Sequence, residues 1–152
     1  WAVSDEGRYA RCKKEWLKVH DATKPWLYPD HNFDLVVTLD FFEHIYLEDL
    51  PFVIDEMFRV AKKWIFLQIA TVDGIKEKGY VLRKGESVPI ELEGYAVAGH
   101  CTVRTREWWY EKLEREDWIA RRDMVNLFCG LVDESIIRNW LLNTIMVLER
   151  IE

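Results

Sequence analysis

The pattern of apolar and polar positions changes period along the chain, and the changes predict alternating strands and helices. Residues 33–39, FDLVVTL, are apolar on both faces apart from two polar residues, which is typical of a central parallel strand covered on each side. From Asp49 the apolar positions recur at helical spacing, and Pro51 fits only the first turn of that helix. Residues 63–70, KWIFLQIA, have the pattern of a second buried strand. These three elements predict a βαβ unit with parallel strands.

Three short elements precede this unit. Over residues 1–15 acidic side chains come first and basic side chains last, an order that suits the helix dipole and predicts a helix. Residues 16–20, WLKVH, form a candidate short strand. Residues 21–32 contain two prolines, two aspartates and an asparagine, which is the composition of a loop.

The second half of the chain predicts four further elements. They are a helix over 105–116 with Thr105 as its N-cap, a strand over 118–129, a helix over 133–142 capped by Asp133, and a closing strand over 144–151. Trp108 and Trp109 are expected to pack against the sheet rather than to stack on a ligand. No repeat, linker or second core is visible, so residues 1–152 predict one α/β domain.

Residues 71–100 lack this regularity. Five glycines divide the stretch into short pieces such as YVLRK and VPIELEG. A long irregular insertion in a compact domain is more often functional than accidental, because such segments lie on the surface and carry binding residues. We therefore predict that residues 71–100 form a lid over a substrate.

Composition and charge narrow the classes of partner. A chain of 152 residues suits one domain and buries roughly 70% of the surface of its unfolded state. The net charge of −6 argues against nucleic acid, and the apolar runs are far shorter than the roughly 20 residues of a membrane span. The cysteines Cys12, Cys101 and Cys129 form no disulfide framework, which favours a reducing cytoplasm. The sequence leaves open whether the protein forms a homodimer.

Polar clusters follow two of the predicted strands. Asp21 comes directly after the strand at 16–20, and Asp40, Glu43 and His44 follow the strand at 33–39. Ligands of open α/β sheets bind beyond the carboxyl ends of the strands, which makes both clusters candidate sites. The spacing of the histidines and cysteines matches no zinc motif, so no metal site is predicted. No G-x-S-x-G elbow of a hydrolase occurs either.

Four stretches together resemble one family: DATKPW, FDLVVTLDFFEHI, DLPFVIDEMFRVAKKWIFLQIA and GHCTVRTREWWYEKLERE. Their order is similar to that of class I S-adenosylmethionine-dependent methyltransferases of the small-molecule type, and the resemblance covers nearly the whole chain. It implies a Rossmann-like sheet, mostly parallel with an antiparallel C-terminal strand. It also implies transfer of a methyl group from S-adenosylmethionine to a small or medium-sized acceptor.

The resemblance assigns the cofactor side of the site. In the family the acidic residue of a DA pair accepts a hydrogen bond from the adenine amine, which implicates Asp21, with the backbone of Ala22 beside the ring. The residues at the end of the next strand line the methionine end of the cofactor, which implicates Thr38, Leu39 and Asp40. These five residues are the predicted cofactor site.

The substrate side follows from the same resemblance. Phe41 and Phe42 are expected to pack against the adenosine or the substrate, and Glu43 lies on the substrate side in many relatives. His44 is the predicted catalytic residue, as a general base for an oxygen or nitrogen nucleophile. His100 is a predicted substrate contact.

Simpler interpretations of the same residues stay open. Asp21 could merely organise the turn in which it lies, since this is a common role of aspartate in loops. Glu43 and His44 could be solvated residues at a strand-to-helix turn. His100 could be a loop histidine with a local hydrogen bond.

The chain departs from the family at its beginning. The glycine-rich cofactor loop that follows the family's first strand is missing, and so is the second strand, whose acidic residue binds the ribose. WAVS is similar to the segment after that acidic residue, so we expect the cofactor loop upstream of Trp1 in an N-terminally incomplete domain. The alternative is a non-catalytic methyltransferase-like domain that serves as a binding or scaffold module.

Overall fold

Two parallel strands joined by a helix form the centre of the fold. β1 (Phe33–Leu39) pairs in parallel with β2 (Ala61–Gln68), and α1 (Leu50–Val60) connects them. Pro51 lies in the first turn of α1, where its missing N–H has no consequence. The predicted βαβ unit is confirmed. β2 begins two residues earlier than predicted because α1 continues directly into it.

The computed structural model describes residues 18–75, 78–92 and 99–151. The predicted helix over 1–15 lies outside these ranges, as do the first two residues of the predicted strand over 16–20. Residues 18–20 belong to no regular element, and Val19 is 80% exposed, so the strand prediction is wrong for them. They pair with no other described strand. The loop predicted over 21–32 is confirmed.

The sheet continues beyond β2 with antiparallel strands. β6 (Ile145–Arg150) pairs with β2, and β5 (Trp118–Ala120) pairs with β6, which gives the order β1-β2-β6-β5. The closing strand predicted over 144–151 is confirmed. The described sheet is therefore mixed, and the α/β class is confirmed in a form compatible with the Rossmann-like sheet that the resemblance implies.

β1 is an edge strand within the described part of the chain. Leu35, Val37 and Leu39 lie on one of its faces and are between 50% and 59% exposed. Val36 lies on the other face and packs against the core. The prediction of a central strand covered on both faces is wrong for the described residues, because the described core covers only one face.

α1 supplies one wall of the core. Its inward side chains recur at helical spacing, as the sequence predicts, and all are nearly inaccessible to solvent. Burial of side chains of this size stabilises a fold by about 1.5–3 kcal/mol each, which holds α1 against the sheet. They are Leu50, Val53, Ile54, Met57 and Phe58.

The helix predicted over 105–116 is α3 (Arg106–Leu113). The hydroxyl oxygen of Thr105 accepts the backbone N–H of Trp108 at 3.3 Å, so the predicted N-cap is confirmed. Trp109 is wholly buried, and Trp108 packs against the same core while partly exposed. The expectation that both tryptophans serve packing is confirmed.

The strand predicted over 118–129 is wrong beyond its first residues. Only β5 is extended, and α4 (Arg122–Gly130) follows it. Val125 and Cys129, four residues apart, are the buried side chains of α4 and cluster with Ile145 and Val147 of β6. The apolar residues of 118–129 alternate as in a strand, but the two residues that are buried have helical spacing. The segment is therefore a helix that buries one narrow stripe.

The helix predicted over 133–142 is α5 (Ser135–Thr144), which begins two residues later. The predicted cap Asp133 is wrong, because the N-cap position is Glu134, whose side chain makes no capping bond. At the other end the buried Thr144 donates its hydroxyl to the carbonyl of Trp140 at 3.0 Å. Among the described helices, none combines the length and the apolar character that a bilayer crossing requires.

The described residues between 71 and 100 form short elements, as predicted. α2 (Val72–Ile75) is followed by β3 (Tyr80–Val81), which pairs antiparallel with β4 (Thr102–Val103). Side chains of this region form a small core of their own, which lets the segment hold its shape beside the main sheet. Its buried members are Tyr80, Leu82, Leu92, Cys101 and Val103. The lid function stays a prediction.

A charged pair on α1 fastens the loop before β1. The carboxylate of Glu56 accepts Nε and Nη2 of Arg59 at 2.6 and 2.9 Å, and it also accepts the backbone N–H of Trp26. Arg59 donates Nη1 to the carbonyl of Tyr28 and to the carboxylate of Asp30, both at 2.8 Å. The hydrogen bonds from Arg59 hold the pKa of the Glu56 carboxyl below its usual value.

We expect Glu56→Gln to lower the free energy of unfolding at neutral pH by about 1–3 kcal/mol, because it removes charge-assisted hydrogen bonds. A carboxyl whose pKa is lowered by folding stabilises the protein above its unfolded pKa of about 4.3, and this contribution disappears as the pH falls through the folded value. Urea unfolding between pH 7 and pH 3 should therefore show the difference between wild type and variant shrinking towards low pH.

Glu111→Gln is the matched control for this change. Glu111 is exposed on α3, so its substitution should leave stability unchanged across the same pH range. A loss in Glu56→Gln that stays constant down to pH 3 would contradict the assigned role of the ionised carboxylate.

Candidate functional site

The carboxyl ends of the two parallel strands lie side by side and are joined by polar contacts. Leu39 is the register partner of Gln68, and the next residue, Asp40, donates its backbone N–H to the carbonyl of Gln68 at 3.0 Å. Nε2 of Gln68 returns a hydrogen bond to Oδ1 of Asp40 at 2.8 Å. Sequence reasoning missed Gln68, and its one signal is that it is the single polar residue in the apolar run 64–70.

Asp40 makes a sharp turn at the end of β1. Its φ of 46° lies in the left-handed region, which is uncommon for residues other than glycine but which aspartate tolerates better than most. The chain then enters a single 3-10 turn at Phe42–His44. This change of direction places the predicted substrate residues at the carboxyl ends of β1 and β2. We call the surface that Asp40, His44 and Gln68 form there the lip.

Phe42 anchors that turn in the core. It is fully buried, and its ring packs edge-on against Trp109 and Phe41 at centroid distances of 6.2 and 5.1 Å. The expectation that Phe42 contacts a ligand is wrong, because none of its surface is accessible. Phe41 is only partly buried and stays at the surface of the lip.

Glu43 is buried directly behind the lip. Its Oε1 accepts the backbone N–H of Ala70 at 3.1 Å, and its own carbonyl accepts the N–H of Cys101 at 2.6 Å. Burial raises the pKa of the Glu43 carboxyl. Its Oε2 has no hydrogen-bond partner among the residues that the structure describes. The interpretation of Glu43 as a solvated turn residue is therefore wrong.

His44 is exposed and held by one backbone contact. Its Nδ1 lies 2.8 Å from the carbonyl oxygen of Gly99. A carbonyl only accepts, so Nδ1 carries a proton, and in the neutral imidazole the lone pair is then on Nε2. Gly99 adopts a φ of 87°, a conformation that favours glycine, and this conformation aims its carbonyl at the imidazole.

The structure brings the three predicted substrate-side residues Glu43, His44 and His100 together. The rings of His44 and His100 meet edge to face with centroids 5.0 Å apart, and His100 is 8% exposed. One ring nitrogen of each histidine and one carboxylate oxygen of Glu43 lie within 4.8 Å of one another. These are donor atoms that can bind a metal ion as well as a proton.

Asp21 lies in the loop that Arg59 and Glu56 fasten. Its Oδ1 accepts both the N–H and the hydroxyl of Thr23, at 2.9 and 2.8 Å, and these bonds hold the pKa of the exposed carboxyl below its usual value. Asp21 thus organises a turn. Because only Oδ1 accepts hydrogen bonds among the described residues, Oδ2 can still bind a ligand.

Beside Asp21 lies a hollow of about 170 Å³. Nε1 of Trp26 donates to the carbonyl of Ala22 at 3.0 Å, which fixes the indole in its wall. The side chains that line the hollow are mostly aromatic and aliphatic, which suits the binding of a flat ring. Its lining residues are Lys18, His20, Ala22, Trp26, Leu27 and Tyr28.

The last two predicted cofactor residues lie at the end of β1. Oγ1 of Thr38 is buried and has no hydrogen-bond partner within the described ranges, so it can still donate to or accept from a ligand. The side chain of Leu39 is 59% exposed. The roles of both residues stay predictions.

Comparison with known families identifies this region. A family model described as a methyltransferase domain matches residues 5–64. Over this stretch the chain is similar to methyltransferase domains. The matched region contains Asp21, β1, the lip at Asp40 and α1, and the resemblance drawn from the sequence is confirmed there. No curated protein matches the chain.

The contact between Gly99 and His44 can be tested by substitution. A Cβ at Gly99 would lie 3.4 Å from Nδ1 of His44, and the backbone there strains any other residue. We expect Gly99→Ala to cost about 1 kcal/mol of stability and to weaken the hydrogen bond to His44. Histidine ¹⁵N NMR spectra should then show loss of the Nδ1–H tautomer of His44.

Gly85→Ala controls for the backbone strain. Gly85 has a φ of 85°, and no atom lies within 4 Å of its position for a Cβ. It should lose similar stability while the His44 spectrum stays as in wild type. An unchanged His44 tautomer in Gly99→Ala would contradict the role given to the Gly99 carbonyl.

Proposed function

We propose that the protein transfers a methyl group from S-adenosylmethionine to a small or medium-sized acceptor at the carboxyl ends of β1 and β2. The observation that carries the proposal is the polar lip formed by Asp40, Gln68 and His44 at the carboxyl ends of the parallel pair, whose first strand lies within the methyltransferase match. In open α/β sheets this is the edge at which ligands bind.

The residues around Asp21 fit the adenine end of the cofactor. An ionised carboxylate with Oδ2 available suits the donor amine of adenine, and the hollow beside Trp26 and Tyr28 suits the flat ring. At the end of β1, Thr38 brings a buried hydroxyl that has no partner among the described residues, and Leu39 brings an exposed apolar side chain. These support binding of the methionine end next to Asp40.

Catalysis in this proposal depends mainly on alignment. S-adenosylmethionine supplies a methyl group that its positive sulfonium already activates, so the protein has to hold the acceptor in line with it. His44 activates the acceptor, because the lone pair on Nε2 can take a proton from an oxygen or nitrogen nucleophile. Phe41 borders the same lip and contributes apolar contact.

We assign residues 71–100 to covering the acceptor. Several contacts fasten the described part of this segment next to the lip: the carbonyl of Leu82 accepts the N–H of Leu47 at 3.1 Å, Lys84 binds Glu48 and Asp49, and the carbonyl of Gly99 binds His44. His100, at its end, faces His44. The segment is held at these points, and its other residues would determine which small molecule is methylated. The free, buried thiols of Cys101 and Cys129 support a reducing cytoplasm as the location.

Calorimetry of the full-length gene product with S-adenosylhomocysteine tests the proposal. We expect saturable binding, and Asp21→Ala should weaken it roughly tenfold, or about 1.4 kcal/mol, by removing the adenine contact. Asp34→Ala is the control, because Asp34 is exposed at the opposite end of β1, where it pairs with Lys62. Absence of binding by the wild type would favour the non-catalytic binding or scaffold module instead.

A further inference from the structure

The cluster of Glu43, His44 and His100 has the composition of a metal site. Two imidazoles and one carboxylate are a ligand set for divalent ions of intermediate softness, such as Mn²⁺, Fe²⁺, Co²⁺ and Zn²⁺. Mg²⁺ and Ca²⁺ prefer sites made wholly of oxygen. Spacing along the sequence hides this cluster, because His100 is more than 50 residues from the other two.

The state of Glu43 points independently to a bound cation. Its side chain is fully buried, one oxygen is used by Ala70, and the other lacks a partner within the described chain. A buried carboxylate oxygen without a partner is costly, and a divalent ion on Oε2 would offset that cost.

The contacts around His44 match those of metal-binding histidines. Such residues typically donate their second ring N–H to a carbonyl or carboxylate, which fixes the ring and frees the other nitrogen for the metal. The bond from Nδ1 of His44 to the Gly99 carbonyl is a contact of this kind.

We propose that Glu43, His44 and His100 bind one divalent transition-metal ion, with an open coordination position on the exposed side of His44. Their donor atoms lie within 4.8 Å of one another, whereas donors around one ion are separated by at most roughly 4.2 Å, twice a typical bond length. Metal binding would draw these donor atoms closer together. Glu43 and His100 form the buried wall of the site.

The open position determines what the site would do beside a methyl donor. A hydroxyl or phenol oxygen of the acceptor would bind the ion and lose its proton more easily, because a bound cation lowers the pKa of the group. The ion would then take over the activation assigned above to the free imidazole. This choice of acceptor class rests on the proposed function, whereas the metal site itself does not.

Manganese binding to the full-length gene product tests the site without any activity assay. After treatment with a chelator, the protein is titrated with Mn²⁺, and the free ion is followed by electron paramagnetic resonance. We expect one Mn²⁺ per chain in the wild type. Glu43→Gln, His100→Asn and His44→Asn should each weaken binding by at least about tenfold. His44 is exposed, so its variant decides the question even if the buried ones fail to fold.

His31→Asn is the control, because His31 precedes β1 at the other end of the strand and asparagine tolerates its φ of 53°. It should bind Mn²⁺ as the wild type does. Absence of Mn²⁺ binding up to millimolar concentration would overturn the proposal, and so would wild-type affinity in folded His44→Asn. Binding of S-adenosylhomocysteine is measured in a separate experiment. Absence of the metal site would therefore leave the proposal of methyl transfer untouched.

Discussion

The buried turn at Glu43 is the constraint on which the rest of the site depends. Its side chain binds the N–H of Ala70 just beyond β2, and its carbonyl binds the N–H of Cys101 just before β4. One residue thus joins the end of β1 to the end of β2 and to the segment that follows residues 71–100. Burial of a carboxylate is costly, and core packing of the neighbouring Phe42 helps to hold the turn in place.

A second polar network holds the other half of the site. Arg59 and Glu56 tie the loop 21–32 to α1, whereas Glu43 ties the lip to the sheet. α1 itself is fixed by apolar burial against β1 and β2. The hydrophobic core therefore determines where the helix lies, and two sets of hydrogen bonds determine where Asp21 and His44 lie relative to it. Surface residues can therefore be substituted while the packed helix and strands keep their positions.

The sequence predicted those elements whose local pattern agrees with their packing. β1, α1 and β2 were predictable because strong apolar periodicity and Pro51 indicate the same structure. α4 was not, because Val125 and Cys129 alone decide its buried stripe while the flanking residues alternate like a strand. Nor could local pattern reveal that Phe42 is buried by Trp109, or that His100 meets His44. Both contacts join segments more than 50 residues apart, and only the fold brings them together.

The central claim is that a methyl donor binds across the carboxyl ends of β1 and β2. A crystal structure of the full-length gene product with S-adenosylhomocysteine tests it most directly. We expect the adenine amine within hydrogen-bond distance of the Asp21 carboxylate, and the sulfur beside the turn between Asp40 and His44. A ligand bound elsewhere, or none at saturating concentration, would contradict the claim.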